Sequence, residues 1–152
     1  MPHSAFLKIQ DKVKISGDST DSKHSGWIDI SSFSFNISNS EDTLKEKDEE
    51  SEGSTVSPIS VSKKMDSASS PLAKAACKRS ELGTVYVDLC YAKGGQTTFM
   101  EYTLKNAKIE EYSVSAGDSY PTEDIVIKYT YIKGTFLENF SWWYDLEEDD
   151  AG

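Results

Sequence analysis

The chain has few of the residues that most often carry chemistry, with two cysteines and two histidines among 152 residues. Cys77 and Cys90 give no disulfide framework and no metal cluster. The two histidines and one nearby aspartate have the residue types of a metal site, but their spacing matches no standard ligand pattern. No apolar run approaches the ~20 residues of a transmembrane helix. The N-terminus also lacks a basic stretch followed by an apolar one. We therefore expect synthesis in the cytoplasm, no secretory signal peptide, no cofactor and no membrane insertion.

Basic residues are also scarce. Lys and Arg total 16 against 26 Asp and Glu, which gives a formal net charge of −10 at pH 7. Proteins that bind a phosphate backbone neutralise it with Lys and Arg, and anionic membrane surfaces select the same residues. The composition therefore predicts neither a nucleic-acid partner nor binding to an acidic membrane surface.

Residues 84–114 carry the strongest pattern in the chain. Apolar residues alternate with polar ones on both sides of Gly94-Gly95, a dipeptide suited to a tight hairpin turn. Period-two alternation places one set of side chains on each face of a strand. A break is expected near Asn106. The stretch therefore predicts two or three antiparallel strands in a meander, and the rest of the chain has to cover their apolar face.

Shorter alternating stretches flank this meander and predict further strands. They are residues 5–10, 27–37, 59–65, 125–131 and 135–144. In the second of them the phase slips at Ser31-Ser32, which predicts a bulge or bend that lets one strand serve two packing faces. Gly134 is expected to separate the last two strands. The length and these patterns predict one all-β domain spanning residues 1–152.

One short helix is expected over residues 70–79, with Ser70 as the N-cap and Pro71 at the first helical position. Two acidic segments show no periodicity. Residues 39–58 are expected to form an extended flexible loop, and residues 145–152 an acidic tail. The loop lacks the spacing of a calcium-binding loop.

Several residues invite a functional interpretation. Ser19, Asp21 and His24 are the residue types of a catalytic triad, but they share one short loop without a nucleophile turn. We interpret His24 as a residue that fixes this loop, and the sequence predicts no enzyme. Cys90 is expected to be buried in a strand. The segment 142–144 (WWY) either stacks on a sugar or a partner, or covers the edge of the core.

The chain resembles a known family over five stretches in the same order. They are residues 5–9 (AFLKI), 17–38, 60–77, 89–112 (LCYAKGGQTTFMEYTLKNAKIEEY) and 121–132. The most specific parts are a Ser-x-Asp-x-x-His-x-Gly-Trp loop and a Lys-x-x-Asp-x-x-Ser-Pro helix start that has one extra serine here. The loop residues are Ser19, Asp21, His24, Gly26 and Trp27, and the helix-start residues are Lys63, Asp66, Ser69, Ser70 and Pro71. These residues are similar to those of the Hcp family, the haemolysin-coregulated proteins of the bacterial type VI secretion system.

The resemblance implies two antiparallel sheets that form a β-barrel or sandwich with the helix on one side. It also implies homohexameric rings that stack into the inner tube, carry effector proteins in the lumen, contact the spike, sheath and baseplate, and leave the cell through the system itself. The loop motif would be structural. The helix residues Ser70, Leu72, Lys74 and Lys78 would line the lumen, and Glu41, Asp42, Glu49 and Glu50 would contact neighbouring subunits. The alternative is a jelly-roll-like module that binds a ligand or glycan.

Overall fold

The computed structural model describes residues 3–39, 54–91 and 97–152. Within them it contains one helix, α1 (Ser69–Lys78), and otherwise antiparallel strands. The strands are β1 (His3–Gln10), β2 (Lys14–Ile15), β3 (Ile28–Ile30), β4 (Ser32–Ser34), β5 (Ile37–Asn39), β6 (Ser54–Val56), β7 (Ile59–Lys64), β8 (Glu81–Tyr91), β9 (Thr97–Ser115), β10 (Thr122–Lys128), β11 (Tyr131–Phe136), β12 (Phe140–Asp145) and β13 (Asp150–Ala151).

The 19-residue strand β9 is the centre of the main sheet. It pairs with β8, and also with β10 and β11, which follow one another along it. The break expected near Asn106 does not end the strand. Asn106 instead has a left-handed φ of 56°, and it lies where the partner changes from β11, paired at Lys105, to β10, paired at Lys108. The Gly94-Gly95 turn lies outside the described residues.

The sheet rolls up because the segment predicted as one strand, 27–37, divides at Ser31. Strand β3 pairs with β1, whereas β4 pairs with β7. The N–H of Ser31 donates to the carbonyl of Ser62 at 2.7 Å and so belongs to the second ladder. The expected slip therefore lets this segment serve two partners, as separate short strands. Within the described residues the ladders do not close into a barrel, and β5 with β6 forms a second, two-stranded sheet.

The core lies inside the rolled sheet and is formed by the alternate residues of its strands, because period-two alternation turns one parity inward. Its buried members include Leu7, Ile9, Val85, Val87, Leu104, Ile125 and Ile132. An aromatic group extends the core from β4 to β12. In it the ring centroids of Phe33 and Tyr102 lie 5.0 Å apart and those of Phe35 and Trp142 lie 6.4 Å apart.

The helix begins one residue earlier than expected, and the prediction of Ser70 as its N-cap is wrong. Ala68 occupies that position and makes no side-chain cap. The turn before the helix is organised by Asp66 instead. Its Oδ1 accepts the N–H of Ala68 at 2.9 Å, and its own N–H donates to Ser69 Oγ at 2.9 Å. The side chain that satisfies the helix start therefore lies before the N-cap position.

Both acidic segments include strands. The predicted loop 39–58 is wrong at its ends, because Asn39 belongs to β5 and residues 54–56 form β6; residues 40–53 lie outside the described part of the chain. The tail folds back as β13 against β12. There Trp143 and Gly152 exchange two backbone hydrogen bonds of 2.9 and 3.0 Å.

The position of Gly134 also differs from expectation. The single strand predicted over residues 125–131 ends at Lys128, and the next strand begins at Tyr131 with Gly134 in its interior. A Cβ atom added at Gly134 would lie 2.7 Å from Nε1 of Trp142, the residue opposite it on β12. The glycine is therefore required by the indole ring that packs on it.

We predict that Gly134→Val destabilises the fold by about 1–3 kcal/mol, the usual cost of overpacking. The measurement is urea unfolding followed by circular dichroism. Gly117→Val is the matched control, because a Cβ atom at Gly117 has no neighbour within 4 Å. Equal midpoints for the two variants would show that Trp142 does not constrain Gly134.

Candidate functional site

The loop 17–27 is a compact hairpin of its own. The N–H of Gly17 donates to the carbonyl of Gly26 at 2.8 Å, and Gly26 returns a bond to Ser19 at 3.0 Å. Gly26 has a φ of 81°, a conformation that glycine adopts without steric cost. The buried Ser19 accepts the N–H of Asp21 through its hydroxyl at 3.2 Å. Such local bonds are typical of Ser and Asp in turns, and here they shape the loop that carries His24.

His24 fastens this loop to the sheet and is only 2% exposed. Its Nδ1 lies 2.7 Å from Asp21 Oδ2, and its Nε2 lies 2.9 Å from Oδ2 of Asp88 on β8. The imidazole stacks on Phe6 of β1 with a centroid distance of 4.3 Å, and the half-buried Trp27 meets it edge-on at 4.7 Å. The loop motif is thus brought together around one ring, and that ring contacts two strands.

The same geometry includes a cysteine near the imidazole. Cys90 Sγ lies 3.9 Å from Nε2 of His24, so the residue types of a Cys-His-Asp triad are adjacent. The thiol is fully buried, and burial raises the pKa of Cys90. Nε2 already faces Asp88, which leaves it no free position for accepting a proton from the thiol. This arrangement joins structural elements and gives no substrate access to the sulfur.

The carboxyl groups on the two sides of His24 differ in environment. Burial raises the pKa of Asp88 against the opposing effect of its hydrogen bond with His24. The hydrogen bond from His24 lowers the pKa of Asp21. Both carboxylate side chains are 15% exposed, so His24 joins two carboxylates at the edge of the buried ring. The sequence pattern includes Asp21 but not Asp88, because Asp88 is 64 residues away in the chain.

A second polar cluster is buried beneath the helix start. Lys63 and Glu123 lie opposite each other on β7 and β10, both fully buried, with Nζ 2.7 Å from Oε1. Lys63 Nζ also donates to Asp66 Oδ1 at 2.8 Å and to the carbonyl of Lys64 at 3.0 Å. Tyr112 donates its hydroxyl hydrogen to Glu123 Oε2 at 2.5 Å. The cluster thereby connects the helix start to β7, β9 and β10.

The charged state of Glu123 is favoured by its neighbours. Burial alone raises the pKa of Glu123, but hydrogen bonds from Lys63, Ser69 and Tyr112 outweigh it, so the pKa is lowered. Burial and the nearby Glu123 raise the pKa of Tyr112. The helix-start pattern of the sequence includes Lys63 and Asp66 but not Glu123 or Tyr112, which only strand register brings to the lysine.

The residues expected to line a lumen divide into two groups. Ser70, Lys74 and Lys78 are exposed along one face of α1. Leu72 is 1% exposed and belongs to the core, so its prediction as a lining residue is wrong. The reason is helical period, since Leu72 shares the inward face with Ala68 and Ala75. Glu41, Asp42, Glu49 and Glu50 lie outside the described residues.

The aromatic segment 142–144 covers the sheet. Trp142 packs on Gly134 and Phe35, and Trp143 stacks on Tyr131 with centroids 6.1 Å apart. Both indole rings therefore contact other parts of the same chain.

In the part of the chain that the structure describes, no three His, Cys, Asp or Glu side chains are grouped to hold a metal ion. No helix in residues 3–39, 54–91 and 97–152 has the length and apolarity needed to cross a bilayer.

Comparison with known proteins identifies the family. A family model described as "Type VI secretion system effector, Hcp" matches residues 6–136, which is 131 of the 152 residues. The chain belongs to the Hcp family. It is therefore a type VI secretion protein, in the family whose members are the tube subunits. No curated protein matches it in sequence.

Solved structures of Hcp proteins share its fold. Hcp1 from Salmonella typhimurium has 19% identity and a TM-score of 0.83, with 99% of this chain and 100% of that chain covered. A structure described as a type six secretion system protein has 23% identity and a TM-score of 0.85 over the same shares. A type VI secretion system effector from Yersinia pestis has 18% identity and a TM-score of 0.75, covering 93% and 98%.

We predict that Lys63→Met lowers the free energy of unfolding by about 3–5 kcal/mol, because it leaves the Glu123 carboxylate buried without its cation. Urea unfolding measures the loss. The double variant Lys63→Met/Glu123→Leu should recover part of it, since both buried charges are then removed.

The exposed neighbour provides the control, and Lys64→Met should change stability by no more than about 0.5 kcal/mol. If Lys63→Met and Lys64→Met unfold at the same urea concentration, the buried pair does not hold the helix start.

Proposed function

We propose that six copies of this chain assemble into a ring and that the rings stack to form the inner tube of a type VI secretion system. The family match over residues 6–136 carries this proposal. The fold supports it, because a ring subunit needs a sheet that keeps its shape when it is contacted from several sides. The two buried clusters around His24 and Lys63 give the sheet this rigidity, because they join the loop 17–27 and the helix start to it.

We also propose that the chain works without catalysis. The supporting observation is that the residue types able to catalyse reactions make structural contacts inside the protein. His24 faces a carboxylate at each ring nitrogen, and Cys90 is buried beside it. A glycan-binding module is less well supported, since Trp142 and Trp143 pack against their own chain.

The proposed partners follow from the tube. They are the spike, sheath and baseplate components of the system and effector proteins in the lumen. The exposed helix face with Ser70, Lys74 and Lys78 is the proposed lining, because basic and small polar groups remain available there for cargo. Assembly would occur in the cytoplasm, and the tube would leave through the secretion system itself.

Light scattering coupled to size-exclusion chromatography tests the ring. We predict a particle of roughly six times the 16.9 kDa chain mass. The measurement is made over a concentration series, because association follows mass action. A monomer at every concentration, including the highest, would contradict the proposal.

A further inference from the structure

Three apolar side chains are exposed together at the turn between β11 and β12. Phe136 is 41% exposed, Leu137 48% and Phe140 66%. We call these three residues the knob. Single exposed apolar residues are ordinary on a protein surface, but a contiguous exposed apolar group marks an interaction site.

The backbone of the knob is held in an unusual conformation. Leu137 has a φ of 52° and Glu138 a φ of 66°, values that are rare for residues other than glycine. The N–H of Leu137 donates to the carbonyl of Phe99 at 2.9 Å, and that of Asn139 donates to Phe136 at 3.3 Å. The turn is thus tied to β9 and presents its side chains in a fixed geometry. A preorganised surface loses less conformational entropy when it binds.

A cavity bordered by Phe99 opens where the ladders of the described strands do not close. Strand β1 pairs with β3 as far as Ala5 and Ile30, after which the chain turns at Ser31 and joins β7. The gap is a cavity of about 370 Å³, which we call the wedge, and its apolar walls include Ala5, Phe33, Leu89 and Phe99. A cavity of ~150 Å³ accommodates benzene, so the wedge has room for a phenyl ring.

The knob does not fill the wedge of its own chain. None of the three knob residues lines that cavity. Strand β11, which ends at Phe136 of the knob, pairs with β9, and so does β8, which carries Leu89 of the wedge. Phe99 of β9 lies between them, since its carbonyl accepts the N–H of Leu137 in the knob and Phe99 also lines the wedge. The knob and the wedge therefore lie next to each other at one end of the sheet.

The proposed ring requires a second copy of this chain as the occupant, and the charges of the two surfaces allow it. Two copies each carry −10, so they repel wherever carboxylates meet, and a contact between them has to be poor in acidic groups. The knob turn contains one carboxylate, Glu138, and the wedge lining contains one, Asp29. This surface allows two acidic chains to touch through apolar groups.

We infer that the knob of one copy docks into the wedge of the next, with Phe140 as the anchor. Since different surfaces meet, the contact is heterologous, and repetition closes a ring where the rotation between copies allows it. The inference rests on the proposed ring and names the surfaces that form it.

The test uses one variant of each surface. Phe140→Asp places a charge on the knob, and Ser32→Trp, at an exposed residue of the wedge rim, fills the recess. We expect each variant to elute as a folded monomer, with association weakened at least ~30-fold, as for loss of an anchor residue worth ~2 kcal/mol. Circular dichroism melting confirms that each is folded.

Mixing the two variants gives the decisive result. Phe140→Asp keeps an intact wedge and Ser32→Trp keeps an intact knob, so an equimolar mixture should form a 1:1 dimer by light scattering and grow no further. Tyr120→Asp is the control, because Tyr120 is 61% exposed, does not line the wedge and donates its hydroxyl hydrogen to the carbonyl of Met65. It should retain the wild-type mass.

Two results would overturn the inference. One is retention of the wild-type mass by folded Phe140→Asp. The other is a mixture that stays monomeric although both variants are folded. In either case the wild-type mass still decides the proposed ring by itself, so failure of the docking contact and failure of the ring are distinguished.

Discussion

Backbone hydrogen bonding along β9 is the constraint on which the other features of the fold depend. One continuous strand pairs with β8, β10 and β11, so a shift in its register would move three partners at once. The positive φ of Asn106 marks the place where the strand changes partners without ending. The register of β10 sets Glu123 opposite Lys63 on β7, and that of β8 sets Asp88 beneath His24.

The two buried polar clusters serve the same structural purpose in different parts of the sheet. Each takes a segment that lies on the sheet, the loop 17–27 or the start of α1, and fixes it through charged groups on neighbouring strands. Removing charges from water costs free energy, and the cost is recovered only when every donor and acceptor finds a partner. Lys63 meets this condition with three acceptors. His24 meets it with a carboxylate at each ring nitrogen.

The local sequence pattern predicts most elements of the fold, and the wrong predictions concern residues whose positions depend on tertiary contacts. Alternation identified most strands, and the Ser31-Ser32 slip indicated the change of partner at Ser31. The prediction that Gly134 separates two strands is wrong, because the indole that requires a glycine there is eight residues away, on the next strand. The resemblance to the family predicts Leu72 as a lining residue, whereas helical period places it in the core. Asp88 and Glu123 had no sequence signal, since only register brings them to the basic residues they contact.

We propose that this chain forms rings through apolar surfaces at one end of its rolled sheet, where the described strands do not close into a barrel. A cryo-electron microscopy reconstruction of the purified particle at side-chain resolution tests it most directly. We predict a six-membered ring in which Phe140 of each subunit lies in the cavity bordered by Ala5, Phe33 and Leu89 of the next subunit. A ring in which Phe140 points into solvent, with that cavity empty or filled by another segment, would contradict it.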